Sequence, residues 1–165
     1  MTIPRFVELG AKKVVGCSIY TSGTQTDFPR IWEVFGKRRE EIPNKVNSSV
    51  RYAIEFYGEE FHTEGKWFYM PCVEVMSFDD IPMIMVAKII PAARYAVFTH
   101  KGGVKGIHEL FMYIYKVWLP NSEFELAFNF DMEAYDERFL GIDNPESILE
   151  IYVPIRDKAI DLTKS

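Results

Sequence analysis

The residues in this chain with the most chemical potential are carboxylates set among aromatic and apolar side chains on strand-like segments. Over residues 124–132 the even positions Phe124, Leu126, Phe128, Phe130 and Met132 are all apolar, and one step further the alternation brings Glu133 onto the other face. In residues 148–155 the set Leu149, Ile151, Val153 and Ile155 forms a core face and leaves Glu150, Tyr152 and Pro154 opposite. On residues 67–76, which begin with Trp67, one parity holds Phe68, Met70, Cys72 and Glu74. A solvated sheet face normally carries more Lys, Thr and Ser than these do. Carboxylates ringed by aromatic groups, with few basic residues close in sequence, suit a pocket for an organic cation. Each aromatic face contributes about 0.5–2 kcal/mol through its quadrupole, and a carboxylate supplies the counter-charge. Burial disfavours the ionised form, so the pKa of such a carboxylate rises in the empty pocket. Glu133 is the sharpest candidate.

Other chemistries find little support. His62, His100 and His108 form neither HxxxH nor HExxH, and there is no Asp-rich calcium loop, so neither a metal nor a cofactor is expected. Gly102, Gly103 and Gly106 match neither GxGxxG nor GxxxxGK[ST] and read as a glycine turn feeding a helix. Cys17 and Cys72 lack CxxC spacing and are expected as buried thiols. With 19 Lys plus Arg against 24 Asp plus Glu, the net charge of −5 is unsuited to a phosphate backbone, so no direct nucleic-acid contact is expected. The longest apolar run, residues 81–87, falls far short of the roughly 20 residues needed to cross a bilayer. No export signal marks the N-terminus, and a cytoplasmic location without membrane contact is the expectation.

The elements that must position these residues follow from periodicity. At 165 residues, 48% hydrophobic and 15% aromatic, the chain is expected to form one domain over 1–165. Residues 12–20 read as a strand ending in a Thr21-Ser22-Gly23-Thr24 turn. A helix follows, with Thr26 or Asp27 accepting its first amides and Phe28, Ile31, Trp32 and Phe35 at helical spacing, and ends before Pro43. Residues 50–57 alternate as a strand, Tyr52, Ile54 and Phe56 against Arg51, Ala53 and Glu55; 59–65 read as a turn and 67–76 as a strand in which Pro71 points to an edge or bulge. The second half repeats the order: a strand over 93–100, a helix over 104–118 stopped by Leu119-Pro120-Asn121, then strands over 124–132 and 148–155. A shift of 79 residues brings Phe28 onto Ile107, Ile31 onto Leu110, Trp32 onto Phe111 and Phe35 onto Ile114. The expected architecture is α+β: a duplicated strand-helix-strand-strand unit, repeat one about 1–79 and repeat two about 80–165. The repeats would be related by a pseudo-twofold axis, with an antiparallel sheet, two main helices and a ligand cleft between them.

Three stretches carry a family resemblance: Ile90-Pro91-Ala92-Ala93-Arg94-Tyr95-Ala96-Val97-Phe98-Thr99-His100-Lys101-Gly102, then Trp118-Leu119-Pro120-Asn121-Ser122, then Glu133-Ala134-Tyr135 followed by residues 145–155. Together they resemble the GyrI-like small-molecule-binding family, also called the AraC-type effector-binding domain, over nearly the whole chain. The resemblance implies a duplicated fold with a cleft between repeats and a pocket glutamate at Glu133. It also implies pocket residues in the last-strand pair Glu150 and Tyr152. A helix-turn-helix precedes the domain in regulators of this family; here the first strand begins within the first dozen residues, and no DNA-reading module is expected.

The expected function is binding of lipophilic, cationic, aromatic small molecules by a sensor or sequestering module, with Glu133 as counter-charge and Tyr135, Tyr152, Glu150, Trp67 and Phe68 as further ligand-binding residues. Two alternatives stand beside it. One is a small-molecule hydrolase using Glu133 as general base with Tyr135 or Tyr152 as hydrogen-bond donor; the other is a protein-binding, gyrase-inhibitor-like role. A homodimer or a separate regulator chain is left open as a partner.

Overall fold

The computed structural model, which describes residues 2–160, 162 and 163, places ten strands in one antiparallel sheet. They are β1 (Arg5–Leu9), β2 (Lys12–Gly16), β3 (Ile19–Thr21), β4 (Arg51–Phe56), β5 (Trp67–Val75), β6 (Val86–Ile90), β7 (Ala93–Lys101), β8 (Phe124–Leu126), β9 (Phe130–Tyr135) and β10 (Ile148–Asp157). Their order is β1-β7-β10-β9-β4-β5-β2-β6, with β3 added to β5 and β8 to β10. Two main helical segments cross one face: α1 (Asp27–Arg38), and α3 (Ile107–Tyr113), which runs through a π-turn at Ile114–Trp118 into α4 (Leu119–Asn121). The short α2 (Glu59–Glu64) links β4 to β5. This is the α+β fold, with a large antiparallel sheet and two main helices, that the sequence leads one to expect.

Read outward from the central β4–β9 pairing, the sheet runs β4-β5-β2-β6 on one side and β9-β10-β7-β1 on the other. The chain crosses between these halves twice. β1 leads through Gly10 and Ala11 into β2, and β6 leads through Pro91 and Ala92 into β7, yet β1 pairs with β7 and β2 with β6. Two-residue links between strands near opposite ends of the sheet require it to curl. Its second face accordingly closes on a core made from strands alone, including Val14, Ile54, Met70, Tyr95, Val97 and Met132, each at most 1% exposed. The first face is covered by α1 through Ile31 and Phe35 and by the α3 segment through Leu110 and Ile114.

Several local readings change. Residues 12–20 split into β2 and β3 opposite Pro71, which sits in the interior strand β5, not at an edge. Proline offers no amide to a neighbouring strand; the Pro71 carbonyl still accepts from the Cys17 amide at 3.1 Å, and the ladder breaks there. Gly16 permits this approach, since a Cβ on it would lie 1.9 Å from the Pro71 carbonyl oxygen. Residues 124–132 likewise break into β8 and β9, and 59–65 form α2 instead of an open turn. At the start of α1 the Thr26 side chain caps nothing; the Asp27 amide reaches Thr24 Oγ1 at 3.3 Å. Pro120 does not end its helix at Trp118. Its missing amide and its ring loosen the preceding turn to π spacing, and the helix persists to Asn121.

Among the described residues no helix is long and apolar enough to cross a membrane, and no group of His, Cys, Asp and Glu could hold a metal ion. Cys17 and Cys72 are free and buried.

Candidate functional site

The central pairing places Glu55 opposite Asp131 and Ala53 opposite Glu133, all on the helix-covered face. Glu55 is 7% exposed, Asp131 0% and Glu133 6%, and among the described residues none of the three forms an ion pair. Tyrosines take the place of cations. The single Tyr57 hydroxyl proton is shared between Glu55 Oε2 at 3.1 Å and Asp131 Oδ2 at 3.0 Å, and Tyr115 donates to Asp131 Oδ2 at 2.6 Å. Tyr135 donates to Glu133 Oε2. Tyr115 reaches the cluster from the π-turn, so the helical irregularity ahead of Pro120 aims its hydroxyl at the sheet.

Low dielectric and mutual repulsion set the protonation. Burial, then the neighbouring Asp131 and Glu133, hold the Glu55 carboxyl well above its ordinary range, and as the neutral acid it donates to Glu133. Burial pushes Asp131 up to about 7, against the opposing pull of the Tyr115 and Tyr57 hydroxyls. Glu133 is also raised by burial, with the Tyr135 and Glu55 donors opposing. Asp131 Oδ1 has no hydrogen-bond partner. Near neutral pH the cluster is a partly protonated acid network that lacks a positive charge.

Glu133 opens onto a cavity of about 730 Å³ between α1 and the start of α3, a size that suits a drug-like molecule. Phe28, Pro29 and Trp32 of α1 line one side, Tyr69 and Tyr135 the floor, and Val104, Ile107, Phe139 and Ile142 the other side. The rings are held by one another. Trp32 meets Tyr135 edge-on at 5.2 Å, Tyr135 meets Phe139 at 4.8 Å, and Phe28 meets Tyr69 at 4.7 Å. The Trp32 indole also donates to the Tyr69 hydroxyl at 2.9 Å. Gly103 lets the far wall come in: at φ 69° it has the Ile142 carbonyl oxygen 2.1 Å from where a Cβ would stand.

Of the residues expected to bind ligand, the structure brings Glu133 and Tyr135 together in this cavity. Trp67 shares their sheet face but lies outside the lining, packed against Tyr57 and Phe61 with ring centroids at 6.3 and 5.8 Å. Glu150, Tyr152 and Phe68 do not join them. Ile151 stands opposite Glu133, which turns Glu150 and Tyr152 to the other face, and Phe68 has the parity of Met70 in the second core. There Glu150 pairs with Arg5 at 2.8 Å and Arg138 at 3.1 Å; although burial opposes it, these guanidiniums hold its pKa below the usual range. Glu55, Asp131, Tyr57 and Tyr115 are the site residues the sequence reading missed. The available signal was parity: Asp131, Glu133 and Tyr135 share one face of β9, as Arg51, Ala53 and Glu55 share one face of β4.

Comparison with known proteins fits this geometry. The sequence profile of Cass2, the integron-associated effector binding protein family, matches residues 5–155. The chain belongs to that family. This Cass2-family chain is 36% identical over 151 residues to the transcriptional regulator BrlR of Pseudomonas aeruginosa. The match covers 92% of the chain and 54% of BrlR, so the chain spans about half the length of that relative. Two solved structures share the Cass2-type fold. SAV2435 bound to tetraphenylphosphonium superposes with a TM-score of 0.68 at 16% identity, covering 93% of each chain. The Vibrio cholerae integron cassette protein VCH_CASS2 gives 0.61 at 16% identity, covering 94% of this chain and 97% of that one. The chain is therefore an effector-binding domain.

Proposed function

We propose that this effector-binding domain takes a lipophilic organic cation in the cavity between α1 and α3, with Glu133 as counter-charge and Trp32, Tyr69 and Tyr135 as aromatic walls. One observation carries this reading: a buried carboxylate without a cationic partner faces a large aromatic cavity. A bulky cation with delocalised or shielded charge loses little hydration on entering such a space. It regains stabilisation from ring faces, worth about 0.5–2 kcal/mol each, and from the carboxylate. A small, strongly hydrated cation would forfeit its water and leave most of the volume empty. The tetraphenylphosphonium in SAV2435 is a ligand of this chemical class. The relation to a transcriptional regulator supports a role in sensing or sequestering such compounds, with readout through further protein where one is present.

The test is a tryptophan-fluorescence titration, for which Trp32 in the wall is the reporter, with tetraphenylphosphonium and the uncharged triphenylphosphine oxide. The wild type should bind the cation saturably and in preference to the neutral compound. Glu133→Gln should weaken the cation about tenfold or more, equivalent to about 1.4 kcal/mol, and leave the neutral compound unchanged. Equal affinities for the cation in the two proteins would remove Glu133 from the role.

A further inference from the structure

The cavity has a second pole. Arg51, at the start of β4 and opposite Tyr135 in the ladder, is part of the cavity lining. No carboxylate, carbonyl or ring face among the described residues engages its guanidinium. Partial burial strips it of water and the charge of Arg39 repels it, while the Tyr135 hydroxyl, a neutral phenol, acts the other way. Among the described residues Arg39, just beyond α1, likewise has no ion pair, and its buried Nε has no acceptor. Most other arginines are matched by carboxylates, Arg5 and Arg138 by Glu150, Arg38 by Glu41 and Arg156 by Glu125, while Arg94 lies over the Phe6 and Phe124 rings. Among the described residues the cavity therefore holds a guanidinium without a paired anion and a carboxylate without a paired cation, and no hydrogen bond or ion pair joins Arg51 to Glu133.

Two opposite charges in one cavity that do not pair directly with each other are suited to a ligand carrying both complements. We infer that the preferred ligand is dipolar: an aromatic cation that also bears a carboxylate, the cationic centre against Glu133 and the carboxylate on the Arg51 guanidinium. This rests on the reading of the cavity as an organic-cation site and narrows it to a substrate class. The planar fork of arginine matches a carboxylate with two parallel hydrogen bonds. The same charge repels a ligand that is only cationic, so Arg51 selects in both directions.

Rhodamine B and its ethyl ester make the matched pair, since they share one cationic ring system and differ in whether the carboxylate is free. Fluorescence polarisation near neutral pH should show the free acid binding the wild type about tenfold more tightly than the ester. Arg51→Gln should weaken the acid and tighten the ester, a crossing that loss of structure would not produce, and Arg51→Lys should retain part of the preference. Glu133→Gln should weaken both dyes. If both dyes bind with dependence on Glu133 but the ester binds the wild type as well as the acid does, the dipolar ligand is refuted and the cation site stands. If neither dye binds, the cation site is refuted and this inference with it.

Discussion

Glu55 and Asp131 face each other directly across the β4–β9 ladder, and no lysine or arginine stands between them. Like charges at directly opposite positions are destabilising on any sheet, more so in a buried one. The pair is tolerated because Glu55 keeps its proton and because Tyr57 bridges the two side chains with its hydroxyl. Under the proposed function, a cation bound at Glu133 would offset the repulsion that remains.

Affinity for an organic cation should therefore depend on pH. The ligand favours the ionised cluster, so protons compete with it. Burial raises Glu133 above its ordinary range and pushes Asp131 up to about 7, so affinity should rise with pH from the ordinary carboxylate range through about 7, and further as Glu55, held well above its ordinary range, ionises, before reaching a plateau. Calorimetric titrations with tetraphenylphosphonium in two buffers of different ionisation enthalpy check this: below the plateau, binding should release protons into the buffer. A pH-independent affinity without proton release would contradict the account.

Stability should show the complementary trend. A carboxyl whose folded pKa lies above its unfolded value contributes stability that is fully present below the unfolded pKa, near 4. It is lost as pH rises through the folded value, for Asp131 about 7. Asp131→Asn removes the ionisable group while leaving an oxygen to accept from Tyr57 and Tyr115. The variant should gain about 1–3 kcal/mol over the wild type at mildly alkaline pH and lose that advantage in acid, as read from urea melts at both ends of the range.

Two glycines should respond to alanine with opposite signs. In Gly16→Ala the new methyl meets the Pro71 carbonyl oxygen at 1.9 Å, backbone against backbone, and neither strand can yield. A loss of about 3 kcal/mol or more is expected. Gly36 lies within α1 with nothing within 4 Å of the corresponding position. Gly36→Ala should stabilise by about 0.5–1 kcal/mol through helix propensity. Parallel denaturant melts of the two variants decide both.

Long, strongly periodic elements were legible in the sequence. The α1 and α3 faces and the alternation of β4 follow from burial on one side at a regular period. β1 and β6 were not, because each is a short outer strand, RFVEL and VAKII, whose partner lies in the other half of the chain. Local pattern carries no information about such a partner. Glu133 stood out because it follows an apolar alternation. Glu55 did not, because alternation separates two faces without saying which one helices will cover. In a sheet buried on both faces, a glutamate is not a marker of solvent. The same ambiguity led Glu150, Tyr152 and Phe68 to be grouped with Glu133, although strand register turns them to the opposite side.

The crossing of β1 and β6 between halves has a consequence for the order of assembly. During synthesis the segment up to Val75 can form β2, β4 and β5, but the outer edge of β2 stays open until β6 arrives, and β1 waits for β7. Glu133 pairs against β4 later still, and the wall containing Phe139 and Ile142 comes last before β10. Nothing resembling the ligand cavity exists in a nascent N-terminal portion, and the acid cluster forms only when the second half docks. The cavity thus draws on segments far apart in the chain, and a product ending before β9 would lack Glu133, Phe139 and Ile142 from its lining.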